Sequence, residues 1–71
     1  MPITREVITF KQLKSMTEQL ENCGATIEKE QHGEGFVTYA ITPKGKKIFK
    51  AIIHEDGDIY ASWFEGLFDK K

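Results

Sequence analysis

Between Ile8 and Gly24 the apolar positions recur three and four residues apart: Phe10, Leu13, Met16, Leu20 and Cys23, with Thr17 among them. That spacing marks one face of an α-helix. Lys11, Lys14, Ser15, Glu18, Gln19, Glu21 and Asn22 fill the remainder with polar groups. Thr9 and Gln12 have the spacing of a capping box, and Ile8 and Leu13 that of a hydrophobic staple. Gly24 supplies the left-handed residue that ends a helix. A single apolar stripe needs a surface to lie on, and in a short chain that surface is its own core. Cys23, at the margin of the stripe, reads as a small packed residue rather than a nucleophile, with no activating base in view.

After Gly24 the period shortens to two, and turn signals divide the chain into strands. Pro43-Lys44-Gly45 and Glu55-Asp56-Gly57 have one form, a type I turn followed by a left-handed glycine, which makes a three-residue hairpin loop. Counting outward from the first loop places Thr42 opposite Lys46, Tyr39 opposite Phe49 and Val37 opposite Ala51. From the second, His54 meets Asp58, Phe49 meets Trp63 and Ala51 meets Ala61. A two-residue Asp56-Gly57 turn is the alternative, and it would flip the last strand. The segment from Ala25 to Glu30 joins through a loop around His32-Gly33-Glu34-Gly35.

With this register one sheet face collects Ala25, Ile27, Val37, Tyr39, Ile41, Phe49, Ala51, Ile53, Ile59, Ala61 and Trp63, none of them charged. The fold class expected is α+β. One helix packs on a four-stranded antiparallel meander, followed by a short C-terminal helical turn. Residues 1–71 form a single domain, with residues 1–7 a loose arm and residues 69–71 a loose tail.

The opposite face is expected to carry Phe36, Thr38, Ala40, Ile48, Lys50, Ile52, His54, Tyr60, Ser62 and Phe64, with Thr26, Glu28 and Glu30. A polar band of Glu28, Thr38, Lys50 and Ser62 then runs between two apolar bands. A solvated antiparallel face is normally more polar than this. Phe36, Ile48, Lys50, Ile52, Tyr60 and Phe64 are therefore the candidate protein interface, either for a second copy of the chain or for another protein. Glu28 of one copy would meet Lys50 of the other. The competing expectation is that Leu67 and Phe68 of the C-terminal FEGLFDKK fold back over this face.

Size and charge sharpen the picture. A chain of 71 residues buries about 60% of its unfolded surface, so a small domain gains much from association. Cys23 is the only cysteine, which rules out an internal disulfide. The start of the chain lacks the apolar run of a signal peptide, and no stretch has the length of a membrane span, so a cytoplasmic protein is expected. The net charge of −1 gives no global basic field. A local one exists in Lys44, Lys46, Lys47 and Lys50, the alternative site, where nucleic acid would bind by charge and stacking. Glu28, Glu30 and Glu34 nearby oppose that, and lysines also blunt exposed strands.

No catalytic group is expected, and no cofactor. His32 and His54 lack a third ligand at zinc spacing. His54-Glu55-Asp56-Gly57-Asp58 is too short for a calcium loop and has the form of a turn. His32-Gly33-Glu34-Gly35 joins two strands, whereas phosphate loops lead from strand into helix. The chain is expected to be a non-enzymatic interaction module, acting as an accessory or modulating protein.

Overall fold

A computed structural model describes residues 3–68. The elements are β1 (Ile3–Ile8), α1 (Phe10–Asn22), β2 (Thr26–His32), β3 (Gly35–Ile41), β4 (Lys47–Ile53) and β5 (Ile59–Phe64). The five strands form one antiparallel sheet in the order β1-β5-β4-β3-β2, with α1 on one face. The architecture is α+β, as expected, but the sheet has five strands and not four.

The extra strand is the segment expected to be a loose arm. β1 pairs with β5 along its whole length, from Ile3 opposite Phe64 to Ile8 opposite Ile59. Its three central residues, Thr4, Arg5 and Glu6, are polar, so the two-residue period is hidden. What makes the strand is the open edge of β5 together with Ile8, which is 5% exposed and anchors β1 in the core.

The helix ends are as the sequence indicates. Thr9 Oγ1 accepts from the Gln12 N–H at 3.1 Å, and Gln12 Oε1 accepts from the Thr9 N–H at 2.8 Å, completing the capping box. At the other end the Ala25 N–H donates to Leu20 O and the Gly24 N–H to Glu21 O, both at 3.0 Å. With Gly24 at a φ of 100° this is a Schellman motif. Leu13 and Leu20 are the buried helix residues. Phe10 departs from its expected place on the core face. It occupies the first helical turn and is 70% exposed. Cys23 is exposed as well, at the C-cap, and is not packed.

Both three-residue loops form. His54 N–H donates to Asp58 O at 2.8 Å and Gly57 has a φ of 98°, so the two-residue alternative is absent. β4 and β5 pair in the expected register, Phe49 with Trp63 and Ala51 with Ala61. The first loop likewise closes with the Thr42 N–H on Lys46 O at 2.9 Å. One residue later the register shifts. Ile41 pairs with Lys47 but Ala40 pairs with Phe49, leaving Ile48 as the extra residue of a β-bulge.

The bulge turns β3 over. Thr38, Ala40 and Phe36 take the helix side, opposite Ala51, Phe49 and Ile53, while Val37 and Tyr39 face outward. Small residues under α1 explain the preference. Ala40, Ala51 and Ala61 are each at most 2% exposed, so the helix can lie close. Tyr39 in that layer would bury a phenol hydroxyl in need of a partner. The β2–β3 hairpin is tighter than the bands assumed. His32 pairs with Gly35 across a two-residue Gly33-Glu34 turn, with Gly33 at a φ of 60°. The two single-residue shifts cancel, so β2 keeps its expected faces although β3 does not.

The C-terminal segment makes turns rather than a helical turn, with the Leu67 N–H donating to Phe64 O at 3.1 Å. Its direction differs too. Phe68 packs edge-on against Phe49 at 6.0 Å and Trp63 at 5.4 Å, on the helix side of the sheet. Leu67 and Phe68 join the core and leave the outer face open. The tail expected at residues 69–71 lies outside the described residues.

Candidate functional site: the outer sheet face

The face opposite α1 is built from three cross-strand rows. One runs Val7, Tyr60, Ile52, Val37 and Glu30 across all five strands. The middle row runs Arg5, Ser62, Lys50, Tyr39 and Glu28. The third carries Ile3 and Phe64 at one end and Ile41 and Thr26 at the other, with the bulge between them.

A polar band between two apolar bands therefore exists, but its members differ from those expected. Of the six interface candidates, Lys50, Ile52, Tyr60 and Phe64 lie together on this face. Ile48 is at the bulge, partly buried and packed against the core. Phe36 belongs to the other face, where it is 47% exposed. The structure adds Ile3, Arg5, Val7 and Tyr39, together with Val37, which lies on this side of the sheet but is only 5% exposed. The first three were hidden by taking β1 for an arm. The last two were placed on the wrong side by the bulge.

Two shallow hollows of about 360 and 370 Å³ lie side by side on the face. The first is bounded by Ile3, Tyr39, Lys47 and Phe64, the second by Arg5, Val7, Ile52 and Tyr60, and Lys50 and Ser62 border both. Tyr60 is 45% and Val7 65% exposed, so apolar surface is available beside the charged row. Tyr60 is also held edge-on by the His54 ring at 5.0 Å.

The lysine cluster does not stand free of the aromatic residues. Lys47 Nζ lies 4.3 Å from the centre of the Tyr39 ring and Lys46 Nζ 5.0 Å from that of Phe64. These are cation–π contacts, worth about 0.5–1 kcal/mol at exposed sites. They occupy the ring faces on which a base would stack. Lys44 sits in the exposed loop and Lys50 at the centre of the sheet, so the four lysines spread from loop tip to middle row.

At one end of the sheet the turns bring acids together. The Glu55 carboxyl is raised above its ordinary pKa, first by a hydrogen bond with Glu34, then by partial desolvation and by the charge of Asp56. His32 Nε2 lies 3.4 Å from Glu30 Oε1 nearby. Among the described residues no three His, Cys, Asp or Glu side chains gather as a metal-ligand set. No helix among them is long and apolar enough to cross a membrane. Comparison with known proteins gives no match to a family model, to a curated protein or to a solved structure.

Proposed function

We propose that the protein is a non-enzymatic interaction module that associates with itself, as a homodimer, through the outer face of its sheet. One observation carries this: the middle row is basic at one edge and acidic at the other, with Arg5 on β1, Lys50 on β4 and Glu28 on β2. β4 is the central strand. A two-fold axis along β4 reverses each row onto itself, so Arg5 faces the partner subunit's Glu28 at both ends. Phe64 then meets the partner's Ile41 and Ile52 its own copy, while Tyr60 lies over the row position of the partner's Val37, which is itself buried. Such self-complementarity is what an isologous contact requires.

The size of the face sets the strength. Five strands about 4.8 Å apart and about 20 Å long give roughly 400–500 Å² per copy. The total of about 1,000 Å² sits at the lower limit for a specific interface, so association in the micromolar range is expected. Lys50 lies on the axis against the partner's Lys50, which also limits affinity.

Sedimentation velocity over a wide concentration range tests this, with Ile52→Glu as the variant. A wild-type dimer and a folded monomeric variant are expected. A wild-type monomer at millimolar concentration would end the homodimer proposal. Nucleic-acid binding by the lysine hairpin is weakened as an alternative, since Lys46 and Lys47 already lie over Phe64 and Tyr39. Salt-sensitive binding of a single-stranded oligonucleotide would revive it.

A further inference from the structure

Lys50 stands at the middle of the outer face, on the central strand of the sheet. Its cross-strand neighbours are Tyr39 on β3 and Ser62 on β5, each carrying a hydroxyl. The two hollows of the face meet at Lys50 and Ser62, and no acidic residue lines the first of them. The single ion pair among the described residues joins His32 to Glu30, so no described carboxylate engages Lys50. Glu28, the acid of its row, is two strands away, about 10 Å. Lys47 brings a second cation to the first hollow, with its Nζ 4.3 Å from the centre of the Tyr39 ring.

The two-fold axis along β4 doubles this arrangement. Lys50 faces the partner's Lys50, and on either side of the axis Ser62 faces the partner's Tyr39. Glu28 does not relieve the lysines, because it lies against the partner's Arg5 at the far end of the row. The flanking rows are largely apolar, with Ile52 and Tyr60 on one side and Phe64 and Ile41 on the other. Sheets packed face to face are about 10 Å apart, so ammonium groups rising from both meet near the midplane. Two like charges held there lose hydration and repel each other, which is costly without a counter-ion.

We propose, resting on the two-fold dimer above, that a small tetrahedral dianion of the phosphate class binds on the dimer axis and tightens association. The anion accepts charge-assisted hydrogen bonds from Lys50 and the partner's Lys50. The hydroxyls of Ser62 and Tyr39 from both subunits donate to its remaining oxygens. All of these groups can donate, and no carboxylate stands among them to repel an anion. Its two negative charges balance the two ammonium groups, so the charge that limits the dimer becomes its central link. The apolar rows confine the site across the strands, which favours a free ion over the phosphate ester of a larger molecule.

The test is the dimer constant of the full chain, measured by sedimentation equilibrium in chloride and again with millimolar inorganic phosphate at matched ionic strength. Phosphate at that level is too dilute to act by general salting-out, and a Lys50→Gln variant would show any such effect equally. Phosphate should tighten the wild-type dimer about tenfold once its concentration is about ten times its dissociation constant. Glycerol 3-phosphate, an ester of the same charge, should tighten it less. Lys50→Gln should dimerise more tightly than the wild type in chloride and show no response to phosphate. A wild-type dimer indifferent to phosphate overturns the anion site and leaves the dimer standing. A chain that stays monomeric in both salts at millimolar protein overturns the anion site and the dimer together. An undiminished phosphate response in Lys50→Gln, or a weaker dimer of that variant in chloride, also overturns the site, as does tighter association with glycerol 3-phosphate than with phosphate.

Discussion

Arg5 and Glu28 occupy the two ends of one row on the outer face, Arg5 on edge strand β1 and Glu28 on edge strand β2, with Ser62, Lys50 and Tyr39 between them. They are four strand spacings apart, about 19 Å, too far to pair within one chain. In the two-fold arrangement each meets the other's counterpart, twice per dimer. Arg5→Glu alone, or Glu28→Arg alone, creates two like-charge contacts and should weaken the dimer about tenfold or more. At about 1 kcal/mol for each exposed pair, two contacts make an effect of that order. The double variant should return to within a few-fold of the wild type. Failure of the double variant to recover in analytical ultracentrifugation would reject this axis, even if a dimer exists.

That row shows what could be read from the chain and what could not. The helix, its capping box and both glycine loops are local devices, each written in residues a few positions apart, and all three formed as expected. β1 is not local. Ile3, Val7 and Ile8 bracket three polar residues, and the segment becomes a strand because β5, some fifty residues later, offers it an edge. The bulge at Ile48 is hidden for a different reason. It trades Tyr39 for Ala40 beneath the helix, a choice decided by the room left under α1, which turn counting does not measure. Arg5 and Tyr39, two of the five members of the middle row, were lost to these two non-local effects.

Gly35 opens β3 where the chain leaves the Gly33-Glu34 turn, and a Cβ added there would collide with the Ile53 carbonyl oxygen. The collision is with backbone of the paired strand β4, which cannot rotate away as a side chain can. Gly35→Ala should therefore destabilise the fold by about 1–3 kcal/mol, the usual cost of overpacking. Urea denaturation would measure it, and a loss below about 0.5 kcal/mol would mean the hairpin shifts freely.

Phe68 closes an aromatic cluster with Phe49 and Trp63 on the helix side, both contacts being edge-on. It is half-buried, so Phe68→Ala should cost less than a full core deletion, about 1–3 kcal/mol. The dimer constant, corrected for unfolded chain, should not change, since the residue lies across the sheet from the proposed contact. A variant of unchanged stability but altered assembly would place the C-terminal segment on the outer face.

Glu34 and Glu55 come from adjacent turns, and the largest cause raising Glu55 is hydrogen bonding toward Glu34, which requires a proton on one of the two carboxyls. Glu55 is the group raised, so the folded state holds that proton to higher pH than the unfolded chain does. For an acid shifted upward, folding takes up protons between the unfolded and the folded pKa. The contribution is therefore present below the unfolded value and is lost as pH rises through the folded one. Both groups are exposed, so the effect on stability is small and the titration itself is the better observable. Following the Glu55 side-chain carbon by NMR, the wild type should titrate above the ordinary value of 4.5. Glu34→Ala, which removes the largest cause, should bring it back toward that value. If the midpoint stays raised without Glu34, the charge of Asp56 and local desolvation are the stronger causes, and the two turns do not share a proton.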